Sequence, residues 1–129
     1  MQITTPLTDV LSRYLDLTSL QFKLTASNAA NIDTPHYQTL GIDFASEFAS
    51  ASADALNMRQ SEEAGTKPDE LAHTPKIFAV DGLLERPDGN NVSMDREGLQ
   101  MGEEQLKYKT GIELLKEQFT EVSDAIQEK

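Results

Sequence analysis

The sequence predicts a mainly α protein whose long N- and C-terminal helices pair as an antiparallel, coiled-coil-like hairpin, with a largely irregular, partly disordered middle that holds a short β-hairpin. Three observations carry this expectation. Each end of the chain has apolar residues at alternating spacings of three and four, a proline stops the first such segment, and a polar, Ala- and Ser-rich stretch separates the two. At 129 residues the chain fits a single unit, residues 1–129, and 38% hydrophobic content is low for a compact globule of that length.

The first helix is expected over residues 6–33. Thr5 offers a capping hydroxyl, Pro6 suits the first helical position, and Asp9 complements the dipole in the first turn. Leu7, Val10, Tyr14, Leu17, Gln21, Leu24 and Asn28 form the seam, with Leu11 widening it. Asp33-Thr34-Pro35 ends the helix, because proline disfavours helical geometry in the residue before it. The result is roughly 40 Å of helix.

Residues 34–93 read as a turn, a flexible linker and a short hairpin. Ser46 to Ala55 is rich in Ala and Ser, an acidic polar stretch follows from Arg59 to Glu70, and the whole of 46–75 has the composition of a mobile linker. Ile77 to Val80, Asp81-Gly82 and Leu83-Leu84 fit a hairpin closed by a tight turn. Arg86-Pro87-Asp88-Gly89 is a β-turn signal, and Ser93 can cap the helix after it.

The last helix is expected over residues 94–128. Its seam is Met94, Gly98, Met101, Gln105, Tyr108, Ile112, Leu115, Phe119, Val122 and Ile126, against a charged face with Glu103, Glu104, Lys107, Glu113, Lys116, Glu117 and Glu121. Gly98, Gly102 and Gly111 each cost up to about 1 kcal/mol relative to alanine, so the helix is expected to fray before Glu103; a close helix approach at Gly98 and Gly102 is the alternative. Pairing would set Leu7, Val10, Leu17 and Leu24 against Tyr108, Ile112, Leu115, Phe119 and Val122. Two helices cannot also cover Leu15, Phe22, Leu106 and Leu114, and exposed apolar surface of that kind calls for other chains.

Charge and chemistry narrow the function. With 22 acidic against 11 basic residues the net charge is −11, which repels nucleic acid and anionic lipid alike. The absence of cysteine excludes disulfides, thiolate nucleophiles and cysteine-based metal centres. The longest apolar run, Ile77 to Val80, is far short of the ~20 residues of a membrane span, and Met1 to Pro6 lacks the pattern of a cleaved secretory signal. His36 and His73 have no ligand partner at helical spacing, and Asp88-Gly89-Asn90-Asn91 lacks the oxygen alternation of a calcium loop. Phosphate loops and nucleophile elbows are missing, so the expectation is no enzyme, no cofactor, no metal and no small-molecule substrate.

Two segments are over-specified for a plain hairpin. Ala26 to Tyr37 resembles the A-N-N-x-A-N-x-x-T-P-G-Y signature of bacterial flagellar rod and hook proteins through Asn28, Asn31, Thr34, Pro35 and Tyr37, with Asp33 beside them. Asp88, Gly89, Asn90, Asn91 and Val92, continuing to Met94 and Asp95, resemble an element that precedes the terminal helix in a protein of the proximal rod; Asp43 and Phe44 after the first signature, and Leu106-Lys107-Tyr108, are similar too. His36 stands where that family has glycine, at a position where a left-handed backbone costs histidine more. The resemblance implies a structural subunit of the flagellar basal-body rod, assembling with itself and other rod proteins through its terminal helices into a drive-shaft tube. It further implies the basal adaptor, membrane-ring proteins and the flagellar type III export apparatus as partners. Location is then the periplasmic rod, reached without a cleaved signal and without membrane insertion. Read without the resemblance, the helices also fit a soluble hairpin adaptor or export chaperone that binds a partner helix.

Overall fold

The computed structural model describes residues 5–65 and 73–127. Helix α1 (Pro6–Ala30) is the element against which α2 (Phe44–Glu63) and α3 (Met94–Gln127) both pack. Strands β1 (Leu40–Gly41) and β2 (Phe78–Ala79) form a small antiparallel ladder, with Leu40 opposite Ala79 and Gly41 opposite Phe78. The mainly α class and the long terminal helices are as expected.

Thr5 caps α1 by accepting from the Thr8 amide at 3.1 Å, and Pro6 opens the first turn. The helix ends at Ala30, three residues before the expected Asp33. Asn31 turns its amide back to the Ser27 and Asn28 carbonyls, and its side-chain amide donates to the Ser27 carbonyl at 2.8 Å. At the other end of the chain, α3 runs unbroken from Met94 through Gly98 and Gly102, so the expected fraying before Glu103 is overturned. Neither glycine has a neighbour near its Cβ position. The close approach falls instead at Gly111, where a Cβ would stand 2.8 Å from Leu15 Cδ2 and 3.1 Å from Tyr14 Cδ1.

The Ala/Ser-rich segment read as linker is helical. Asp43 accepts from the Ser46 amide at 3.2 Å to cap α2, and Gly65, at φ 70°, follows its C-terminal end. Phe44, Phe48, Ala51 and Ala55 recur along one face, and the small residues let α2 lie close on α1. Leu17, Leu24, Ile42 and Ala51 form the core there, flanked by Leu20, Leu40, Phe44 and Phe48. Tyr14 meets both Phe44 and Phe48 edge-on at 5.5 Å, and Arg59 Nε reaches Asp9 at 2.6 Å. Residues 66–72 of the expected linker and residue 128 of the expected last helix lie outside the described residues.

The expected hairpin of 77–84 does not form. Its first arm pairs with β1 instead, and the Val80 amide donates to the Thr39 carbonyl at 2.8 Å. Glu47 on α2 holds the approach to β2, accepting from His73 Nε2 at 2.5 Å and from the Lys76 amide at 3.0 Å. The rest of 73–93 is turns and extended chain, as expected for the middle. Among the described residues no helix is long and apolar enough to cross a membrane.

Candidate functional site

The two over-specified segments meet and form a polar clasp at the Asn28 end of α1. Asn28 is 1% exposed, and its amide takes the place of a strand: Oδ1 accepts from the Leu40 amide at 2.9 Å while Nδ2 donates to the Leu40 carbonyl at 2.9 Å. Tyr37 Oη donates to the same Oδ1 at 3.1 Å. Asn90 Nδ2 donates to the carbonyls of Asn31 and Thr34, both at 2.9 Å, and its Oδ1 accepts from the Val92 amide. Asn91 accepts from the Thr39 amide at 2.7 Å and donates to Gln38 Oε1 at 2.8 Å. Backbone groups of Thr39, Leu40 and Val92, and the carbonyls of Asn31 and Thr34, are thus bonded by side-chain amides, several drawn from distant parts of the chain.

The remaining signature residues support the clasp from its rim. Thr34 Oγ1 donates to Asn31 Oδ1 at 3.0 Å, and Asp88 Oδ1 accepts from the Asn90 amide. Val92 is buried, whereas Asp33, Thr34 and Pro35 are exposed. Arg86-Pro87-Asp88-Gly89 closes as the expected turn, the Gly89 amide donating to the Arg86 carbonyl at 2.9 Å. His36 keeps the left-handed backbone expected of a glycine, at φ 61°, while its amide donates to the Asp88 carbonyl at 3.0 Å. Gly89 sits beneath it at φ 82°, where a Cβ would come within 2.6 Å of the His36 ring.

From the clasp, α3 runs antiparallel to α1 along a seam that is polar. Among the described residues the largest side chains under 2% exposed are Glu97, Glu104, Asn28, Asn90, Thr18, Thr25 and Thr39. Asn28 Nδ2 donates to Glu97 Oε2 at 3.1 Å, Thr25 Oγ1 to Glu104 Oε1 at 2.6 Å, and Arg96 Nη1 to Glu97 Oε1 at 2.8 Å. Gly111 faces Tyr14 and Leu15, and Gln118 meets Thr5. Burial raises the pKa of Glu104, opposed by its hydrogen bond from Thr25. Glu47 moves the other way, lowered chiefly by the hydrogen bond from His73 and then by that from the Lys76 amide.

Of the expected apolar seam, Tyr14 packs against Gly111 of α3, while other members are turned elsewhere. Leu17 and Leu24 belong to the core beside α2; Leu7, Tyr108, Phe119 and Ile126 are exposed; Val10, Tyr14, Ile112, Leu115 and Val122 are half-buried. Mostly polar residues do line the seam, continuing the heptad of Leu11, which apolar patterning includes. Leu11, Thr18 and Thr25 recur every seven residues on α1, and Glu97, Glu104, Gly111 and Gln118 do so on α3. Their shared heptad period was the available signal, hidden because most members are polar.

Leu7, Phe22, Leu99, Leu106, Tyr108, Leu114, Phe119 and Ile126 are consequently left on the outside of the two terminal helices. Phe22 and Tyr108 line a groove of about 430 Å³ between α1 and α3, together with Thr18, Ser19, Gln105 and the stems of Lys23 and Lys109. Among the described residues no group of three or more His, Cys, Asp or Glu side chains is placed to hold a metal ion.

No protein-family model matches the sequence. Individual relatives do. The chain is 32% identical over 125 residues to the flagellar basal body rod protein FlgB of Salmonella typhimurium, covering 88% of this chain and 87% of that protein. It is 32% identical over 117 residues to FlgB of Cereibacter sphaeroides, with 91% of each covered, and 31% identical over 123 residues to FlgB of Escherichia coli K12, with 88% and 87% covered.

Proposed function

The chain belongs to the FlgB family of flagellar basal body rod proteins, and from that premise we propose that it builds the proximal rod by packing the outer faces of α1 and α3 against identical and related subunits. The role in the basal-body rod is structural. One observation supports the route of assembly: the terminal helices bury Thr, Asn, Glu and Gly between themselves and turn Phe22, Leu106, Leu114 and Phe119 outward. Such a distribution leaves apolar surface to be covered by neighbours. Contacts between unlike faces that do not close on themselves generate a helical tube.

The clasp supplies what a load-bearing subunit requires, a fixed angle between the helix pair and the chain around it. On this reading the neighbours are further rod subunits, the basal adaptor and the membrane ring. The chain reaches the periplasm through the flagellar type III export apparatus, a route suited to a cysteine-free protein with a small apolar core. Electron microscopy of basal bodies from a strain lacking the gene, with and without its restoration, tests the proposal. Rings without a rod, rescued by the gene, are expected; complete basal bodies in the deletion strain would favour the adaptor reading instead.

A further inference from the structure

We propose that Glu104 is a proton-linked latch in the α1–α3 seam: the paired helices hold its side chain as the neutral acid, and ionisation loosens the pair. Two acids in one seam, a heptad apart and both 1% exposed, have different surroundings. Glu97 has a partner at each oxygen, the Arg96 guanidinium at 2.8 Å and the Asn28 amide at 3.1 Å. Glu104 has one, the Thr25 hydroxyl on Oε1; its Oε2 is buried with no hydrogen-bond partner. Gln21 Oε1, one turn before Thr25 on α1, is likewise buried and unpartnered.

A carboxylate in this position loses its hydration and gains one hydroxyl in return, while facing the negative charge of Glu97. The neutral acid removes that charge and converts one oxygen from an acceptor into a donor. The surrounding charges do not reverse the balance. On its own helix Glu103 adds negative charge and Lys107, 4.2 Å over the Phe44 ring, opposes it, while Arg96 is paired with Glu97. From α1, Lys23 lines the same groove as Glu104, and so does Lys109 of α3; among the described residues neither forms an ion pair with it. Burial is accordingly the dominant influence and pushes the Glu104 pKa above the ordinary glutamate value.

The linkage has a definite sign. Because the folded pKa is raised, the contribution of Glu104 to pairing is fully present below the ordinary carboxylate value and is lost as pH rises through the folded value. Proton uptake thus tightens the terminal helices and proton release loosens them. This property belongs to the helix pair itself and stands or falls independently of the rod.

Two measurements on the full chain test it. In a carboxyl-carbon NMR titration of the unmodified protein, Glu104 is expected to titrate above the ordinary value of 4.5; titration at or below that value overturns the proposal. Glu104→Gln mimics the neutral acid in shape and donor capacity. Its thermal midpoint is expected to exceed that of the unmodified chain at pH 7 by a few degrees, with the gap closing as pH falls. A gap that is absent, reversed or independent of pH overturns the latch, and the titration decides the matter should the variant fail to fold.

Discussion

The two sides of α1 are built from opposite chemistry. Toward α2, Leu17 and Leu24 meet Ile42 and Ala51 within a ring of aromatic and aliphatic side chains. Toward α3, Thr25 and Asn28 meet Glu104 and Glu97, and Gly111 lets Tyr14 and Leu15 approach closely. An apolar contact is non-directional and rewards area, so it secures α2 as part of the subunit. A hydrogen-bonded seam contributes less net stability, but each donor accepts only one alignment, so it sets the register of α3 while leaving that helix's apolar faces outward.

The contrast can be broken most sharply at its strongest points. Leu17→Ala removes a buried aliphatic side chain and is expected to cost about 3 kcal/mol in urea denaturation, with loss of α2 docking. Asn28→Ala strands the Leu40 backbone groups and one oxygen of Glu97, costing about 2–3 kcal/mol, and should also erase hydrogen-exchange protection at the Leu40 amide. A purely local cap at Asn28 would leave that protection intact. Next in size is a pair of glycine substitutions. Gly111→Leu must push α3 away from Tyr14 and Leu15 and should cost about 2 kcal/mol, whereas Gly98→Ala meets open space and should stabilise by up to about 1 kcal/mol. Thermal melts of the two variants should move in opposite directions.

The smallest effect concerns pH and contrasts Glu47 with Glu104. Since the folded pKa of Glu47 is lowered, its hold on His73 and Lys76 is present above the ordinary carboxylate value and is lost as pH falls through the folded value. Acidification should therefore speed hydrogen exchange at the Val80 amide of the ladder, and Glu47→Gln should flatten that dependence. An unchanged exchange profile between the two proteins would remove Glu47 as the anchor of β2.

What the sequence disclosed and what it concealed follow from the same chemistry. The terminal helices were legible because Thr5-Pro6 and the three-and-four spacing are local signals. The signature asparagines stood out, but not their partners, because pairing Asn28 with Leu40 and Asn90 with Asn31 is a matter of tertiary geometry. Helix α2 was hidden by composition: Ala and Ser read as linker until Asp43 as a cap, Phe44, Phe48, Ala51 and Ala55 at helical spacing, and Gly65 as a stop are taken together. The seam was misread because apolar patterning assumes that leucine faces its own chain. Here the heptad facing inward is threonine and glutamate, and part of the apolar heptad faces out.

The outward heptad is the central claim, and Phe119→Glu tests it most directly. Phe119 is 55% exposed, so the substitution should leave the helical circular dichroism and melting of the purified chain within about 0.5 kcal/mol of the unmodified protein. In cells lacking the native gene, the variant should be made and exported, yet basal bodies viewed by electron microscopy should show rings without a completed rod. Complete rods built from a stably folded Phe119→Glu chain would contradict the account, because the face left open by the polar seam would then carry no assembly contact at this position.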